Sequence, residues 1–195
     1  MKTEVEVWYD FETTGLKIED GAAVVQFSCQ IVINGVVVDT INENVNPYSY
    51  PRPVTISEYA LKVNGYKEED FASYPSLASC VNIIKNKVYT WSSKYKTKAL
   101  LIGYNNSTFD KYFIEEAFEL CQVKFDSFFK WKQIDVFELV KALQFMGVMG
   151  ETYNQKLGTI AEYFNIDTTD LLHDALQDVI ITRTIFNKIK EKLNG

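Results

Sequence analysis

Histidine, cysteine and proline are scarce in this 195-residue chain, which holds one His, three Cys and four Pro. Cys29, Cys80 and Cys121 are odd in number and form no CxxC pair, which argues against a disulfide framework or a zinc cage. They read as small apolar core residues in a reducing compartment. Nine glycines and four prolines, thinly spread, leave no linker, repeat or low-complexity block. One domain over residues 1–195 is therefore the expectation. No apolar run reaches the length of a membrane span. The start, Met1 to Glu6, has no apolar signal core, so a cytoplasmic location without membrane contact is expected. Only Asn194 and Gly195 follow Leu193, so no long polymerase tether is expected. Excess basic charge is also missing: the net charge is −6. That argues against a broad basic surface for duplex nucleic acid, but not against an enzyme that holds a strand end through divalent cations.

What the chain does have is apolar and aromatic material, with 47% hydrophobic residues, 13 Phe and 12 Tyr. Such a composition folds. Val5 to Tyr9 predicts a strand stopped by Asp10. Ala23 to Ile33 predicts a second strand, Asn34-Gly35 a hairpin turn, and Val36-Val37-Val38 the return strand. Ser57 to Val63 suits a short helix. A longer helix follows Pro75, read as a first-turn proline, through Leu77, Val81, Ile84, Val88 and Trp91. Ala99 to Ile102 predicts a buried strand, Phe109 to Leu120 a helix, and Lys130 to Ile134 another short strand. Further helices are marked by Val136 to Leu143, by Ile160 with Phe164, and by about Asp174 to Leu193. This order predicts an α/β chain with a mixed sheet and helices packed on it.

Three polar segments carry candidate chemistry. Asp10-Phe11-Glu12-Thr13-Thr14-Gly15 follows the first strand. If the strand persists to Glu12, its two carboxylates project from one face, and crowded carboxylates suit a hard cation such as Mg²⁺ or Mn²⁺. Read alone, the pair is more often two solvated acids. The backbone NH groups of the following turn are candidates to face a terminal nucleotide. Asn105-Asn106-Ser107-Thr108-Phe109-Asp110 puts Asp110 in the first turn of a helix, with Thr108 as its expected N-cap. His173-Asp174-Ala175-Leu176-Gln177-Asp178 opens the last helix with the chain's one histidine, the best general base available. His173 and Asp178 converge most easily if His173 precedes the helix and Asp178 lies one turn inside it. Asp174 competes for the ligand role through its i, i+4 relation to Asp178.

Taken together, these segments resemble the DnaQ-like 3′→5′ exonuclease family of the DEDDh type, within the ribonuclease H-like superfamily. The family's Asp-x-Glu-Thr-x-Gly is matched by Asp10 to Gly15, its x-x-Phe-Asp by Ser107 to Asp110, and its His-x-Ala-x-x-Asp by His173 to Asp178. Leu157 to Ile166 resembles the helix before the third motif. The resemblance spans about residues 5 to 190. One departure is Asn105, where many members carry His.

The resemblance implies a ribonuclease H-like mixed sheet of about five strands, the first three antiparallel, flanked by helices. It implies two divalent ions, Mg²⁺ or Mn²⁺, held by Asp10, Glu12, Asp110 and Asp178, with His173 as general base. The implied reaction removes nucleoside 5′-monophosphates from single-stranded 3′ ends, DNA favoured, with Thr13, Thr14, Gly15, Asn106 and Phe109 touching substrate. A DNA polymerase or replication protein is the candidate partner. The rivals are an RNA-trimming exoribonuclease and a catalytically silent binding module. Two basic-aromatic stretches, Lys85 to Lys98 and Lys124 to Lys132, are candidate strand guides, though each reads more readily as ordinary solvated surface.

Overall fold

A computed structural model describes residues 3–168 and 173–194. Five strands form one sheet: β1 (Val5–Thr13), β2 (Val24–Ile33), β3 (Val36–Asn44), β4 (Ala99–Gly103) and β5 (Phe129–Asp135). Their spatial order is β3-β2-β1-β4-β5. β1, β2 and β3 run antiparallel, whereas β4 lies parallel to β1 and β5 parallel to β4. Besides four short 3-10 turns, six α-helices accompany the sheet in the described chain: α1 (Glu58–Asn64), α2 (Leu77–Tyr95), α3 (Asp110–Leu120), α4 (Val136–Phe145), α5 (Leu157–Tyr163) and α6 (Ala175–Asn194). Among the described residues, no helix is long and apolar enough to cross a membrane. The three cysteines are free.

The alternation along β1 sorts the core. Val5, Val7, Tyr9 and Phe11 pack on one face with α2 and α3, through Val81, Ile84, Val88, Ile114 and Phe118. Trp8 points to the other face, where it meets Ile102, Val136, Val140, Ile160, Val179 and Ile185 of β4, α4, α5 and α6. Each such side chain, fully buried, contributes about 1.5–3 kcal/mol. Asp10 and Glu12 share the parity of Trp8, so they project towards α6 but beyond the end of its apolar contact.

Three local expectations change. β1 does not stop at Asp10 but continues to Thr13, because Phe11 returns to the apolar face and pairs with Phe27. Pro75 lies before the first turn of α2: Ser76 caps the helix, accepting from Ser79 N. Thr108 is not the cap of α3. Phe109 holds that position without a side-chain bond, and Thr108 donates instead to Asn105 Oδ1.

Candidate active site

The parallel strands β1 and β4 end side by side, and the carboxylates collect at that edge. Asp10 and Glu12 come from β1, opposite Ser28 and Gln26 of β2. Asp110 starts α3, is almost fully buried, and accepts the backbone N–H of Phe11 at 3.2 Å. Asp178 lies in the first turn of α6. His173 precedes that helix in the left-handed region, φ 68°, where a non-glycine residue is strained by about 1–3 kcal/mol. Its backbone N–H bonds to the Asp178 carboxylate, which holds the turn. His173 therefore sits ahead of the helix and Asp178 one turn inside, the arrangement that lets them converge. Donor atoms of Glu12, His173 and Asp178 all lie within 4.8 Å of one another.

The electrostatics are those of acids crowded and buried at one edge. Burial, followed by Asp110, Asp178 and Glu12, raises Asp10 well above the usual carboxylate range. Glu12 is pushed up to about 8, first by burial and then by Asp178, with Asn64 opposing the rise. Burial likewise raises Asp110 and Asp178, each held back by a backbone N–H bond. Asp178 Oδ1 is buried with no hydrogen-bond partner. A buried, unpaired carboxylate oxygen facing other acids fits an oxygen-loving divalent ion, so the donor set present suits Mg²⁺ or Mn²⁺.

Asp174 has a different task. Its Oδ1 accepts from Gln177 N, and its Oδ2 accepts from Gln26 Nε2, so it caps α6. Gln26 Oε1 in turn accepts from Ala175 N. The sequence reading missed Gln26, although Gln26, Ser28 and Gln30 mark one polar face in an otherwise apolar strand. It also missed Asp135, which accepts from Asn105 N, Ser107 N and Ser107 Oγ, and from Phe137 N at the start of α4. That carboxylate braces the loop before Asp110. Asn105 is exposed at φ 58°, a conformation asparagine tolerates well.

The expected substrate contacts divide. Gly15 and Phe109 line a cleft of about 400 Å³ with Phe11, Glu12, Leu16 and Tyr59. Leu16 and Tyr59 are largely exposed there. Thr13 also borders this cleft, but its hydroxyl donates to Gly15 O. Thr14 turns inward: its hydroxyl donates to Thr55 O, and its N–H to Ala23 O. Asn106 is fully buried, with Nδ2 3.4 Å from both Tyr9 Oη and Gln133 Oε1. Neither of these two side chains is exposed, although Thr14 also lines the cleft.

The basic stretch Lys85–Lys98 lies at the far end of the sheet. Lys87 pairs with Asp39. Asp39 aligns through Ile31 with Val7, about 16 Å along the strands from Glu12. Lys98 leads into the start of β4, opposite the end that Asp110 follows. The second stretch is split: Phe129 is core, Lys130 pairs with Glu4, and Lys132 covers the exposed ring of Trp131 on the edge strand.

The family model for the exonuclease family RNase_T matches residues 7–186, and the chain belongs to that family. No curated protein sequence matches the chain. Among solved structures, one of exonuclease I superposes with a TM-score of 0.80 at 16% identity, over 96% of this chain and 41% of that one. The E. coli exonuclease I complex with a dT13 oligonucleotide gives 0.80 and 16%, over 97% and 41%. The zinc-ion-bound form of the E. coli exonuclease I–ssDNA complex gives the same values. At that identity the likeness shows the fold. The chain spans about two fifths of the length of these structures.

Proposed function

We propose that this chain is a 3′→5′ exonuclease that hydrolyses single-stranded nucleic acid, DNA in preference, to nucleoside 5′-monophosphates. The observation that carries the reading is the convergence of Asp10, Glu12, Asp110, Asp178 and His173 from separate segments at one sheet edge, in a chain of the exonuclease family. Solved neighbours that hold single-stranded DNA support the choice of substrate.

Asp10, Glu12, Asp110 and Asp178 would hold two divalent ions, Mg²⁺ or Mn²⁺. When bound, such ions lower the pKa of a water and stabilise charge on the leaving oxygen. His173, exposed and beside Glu12 and Asp178, accepts the proton of the attacking water. We assign it this role rather than a ligand role because hard cations prefer the oxygen donors already present. Asp110 and Asp178 each accept a backbone N–H, from Phe11 and His173, and Oδ1 of Asp178 stays unpaired for an ion. The Leu16–Tyr59–Phe109 cleft receives the terminal nucleotide against apolar surfaces.

The test is a digest of 5′-labelled single-stranded DNA and RNA of one sequence, with Mn²⁺ and with EDTA. A ladder shortening from the 3′ end, abolished by EDTA and faster on DNA, is expected. Faster shortening of RNA would move the substrate to an exoribonuclease. Cleavage of neither strand by folded protein would leave a silent binding module.

A further inference from the structure

A second, larger cleft opens on the opposite side of the carboxylates. Its volume is about 1260 Å³, three times that of the Phe109 cleft, and it runs outward from His173 and Asp178 to Tyr104, Phe137, Tyr153 and Lys156. The smaller cleft borders Glu12, and the larger one borders Asp178. A strand with its terminal nucleotide in the first can cross the carboxylates and continue into the second.

We propose that this larger cleft is a nucleotide-binding subsite whose aromatic wall, with Tyr153 as platform, stacks the bases preceding the scissile linkage. The proposal rests on the nuclease reading above. Tyr153 is 81% exposed, yet the loop that carries it is firmly braced. Gln144 Nε2 donates to Gly150 O and Thr152 Oγ1, and Gln155 Nε2 donates to Gln144 Oε1. Tyr104 Oη donates to Gln155 O at 2.6 Å, and Asn154 Oδ1 accepts from Lys156 N and Thr159 Oγ1. A rigid loop that holds out an aromatic ring loses little entropy when a base settles on it. Tyr104 and Phe137 meet edge to face at 5.8 Å and extend the apolar wall.

The charge of the lining says which part of the strand faces it. Lys156 is the one lysine or arginine among the described lining residues, which also include Glu162 and Asp167. Such a wall suits bases rather than phosphates. Stacking is sequence-tolerant because every base offers a π face.

The test compares the wild type with Tyr153→Ala and Tyr153→Phe on two substrates in Mn²⁺. One is the p-nitrophenyl ester of thymidine 5′-monophosphate, which fills only the terminal position. The other is a short single-stranded dT strand. Tyr153→Ala is expected to raise KM for the strand about tenfold, with kcat kept and ester hydrolysis unchanged. Tyr153→Phe is expected to behave as wild type. An unchanged strand KM in Tyr153→Ala, or equal losses on both substrates, would overturn the subsite while leaving the nuclease reading intact. A wild type that cleaves neither substrate would overturn both.

Discussion

Gln26 and Asp174 are hydrogen-bonded across 148 residues of sequence, with Gln26 Nε2 3.1 Å from Asp174 Oδ2. The same amide accepts the Ala175 N–H at 3.0 Å. One buried side chain on β2 thus fixes the first turn of α6, and with it His173 and Asp178. Gln26→Leu keeps the volume but leaves a buried N–H and a carboxylate oxygen unpaired. It should cost about 1–3 kcal/mol in a denaturant titration and lower kcat more than it raises KM. Wild-type stability and turnover in this variant would show that the tether has no role.

Gly103 ends β4 where two segments come too close for a side chain. A Cβ there would lie 2.9 Å from Tyr9 O and 2.9 Å from Asn106 Cβ. Asn106 is buried and cannot swing outward, and Asp110 follows it by four residues. Gly103→Ala should therefore destabilise the fold by about 1–3 kcal/mol and reduce activity beyond that loss. Thermal melting together with a rate measurement on the folded fraction checks both parts.

Stability should respond to pH and metal in opposite senses. Glu12 is raised from 4.5 to about 8 in the folded chain. Between those values the folded state binds more protons than the unfolded state. The stability this contributes is complete below about pH 4.5 and lost as pH rises through about 8. Metal-free protein should melt at a lower temperature at about pH 8 than at about pH 5. Mn²⁺ displaces those protons, so its stabilising effect should be larger at the higher pH. A melting temperature that rises with pH in EDTA would contradict the acid-cluster account.

Charge at the far end of the sheet should not matter to the strand. Lys94 lies over Trp91 and Tyr95 near the end of α2, and Lys96 caps that helix in the left-handed region. Lys94→Glu with Lys96→Glu should leave KM on single-stranded DNA unchanged over a salt series. A several-fold rise in KM at low salt would bring the strand path to this edge.

Much of the fold was legible because it is written in periodicity. β2, the turn at Asn34-Gly35 and the stripe of α2 follow from local patterns. The acid cluster was legible through its three motifs in order. The bracing was not, because it joins residues distant in sequence and leaves little local signal. Gln26 reads as one polar residue in an apolar run until α6 is placed over it. Asp135 reads as the end of a strand until the 105–108 loop folds back onto it. The resemblance implied substrate contacts for Asn106 and Thr14, but it does not show that both side chains are buried. In the fold the Thr14 hydroxyl accepts from Ala23 N, and Asn106 Nδ2 donates to Tyr9 Oη. The place of the Lys85–Lys98 stretch was not legible because composition carries no address: topology alone puts it at the start of β4, away from the carboxylates.

The central claim is that the Asp178 carboxylate, with its unpaired Oδ1, serves an ion and a reaction rather than the fold. The most direct measurement is the rate of nucleotide release from single-stranded DNA by Asp178→Asn at saturating Mn²⁺, with metal-free melting recorded beside it. The account predicts a rate lower by about a hundredfold to a thousandfold. It also predicts a melting temperature equal to or above that of wild type, since a repelled buried charge is removed. A variant that keeps wild-type turnover, or one that loses activity only by unfolding, would contradict it.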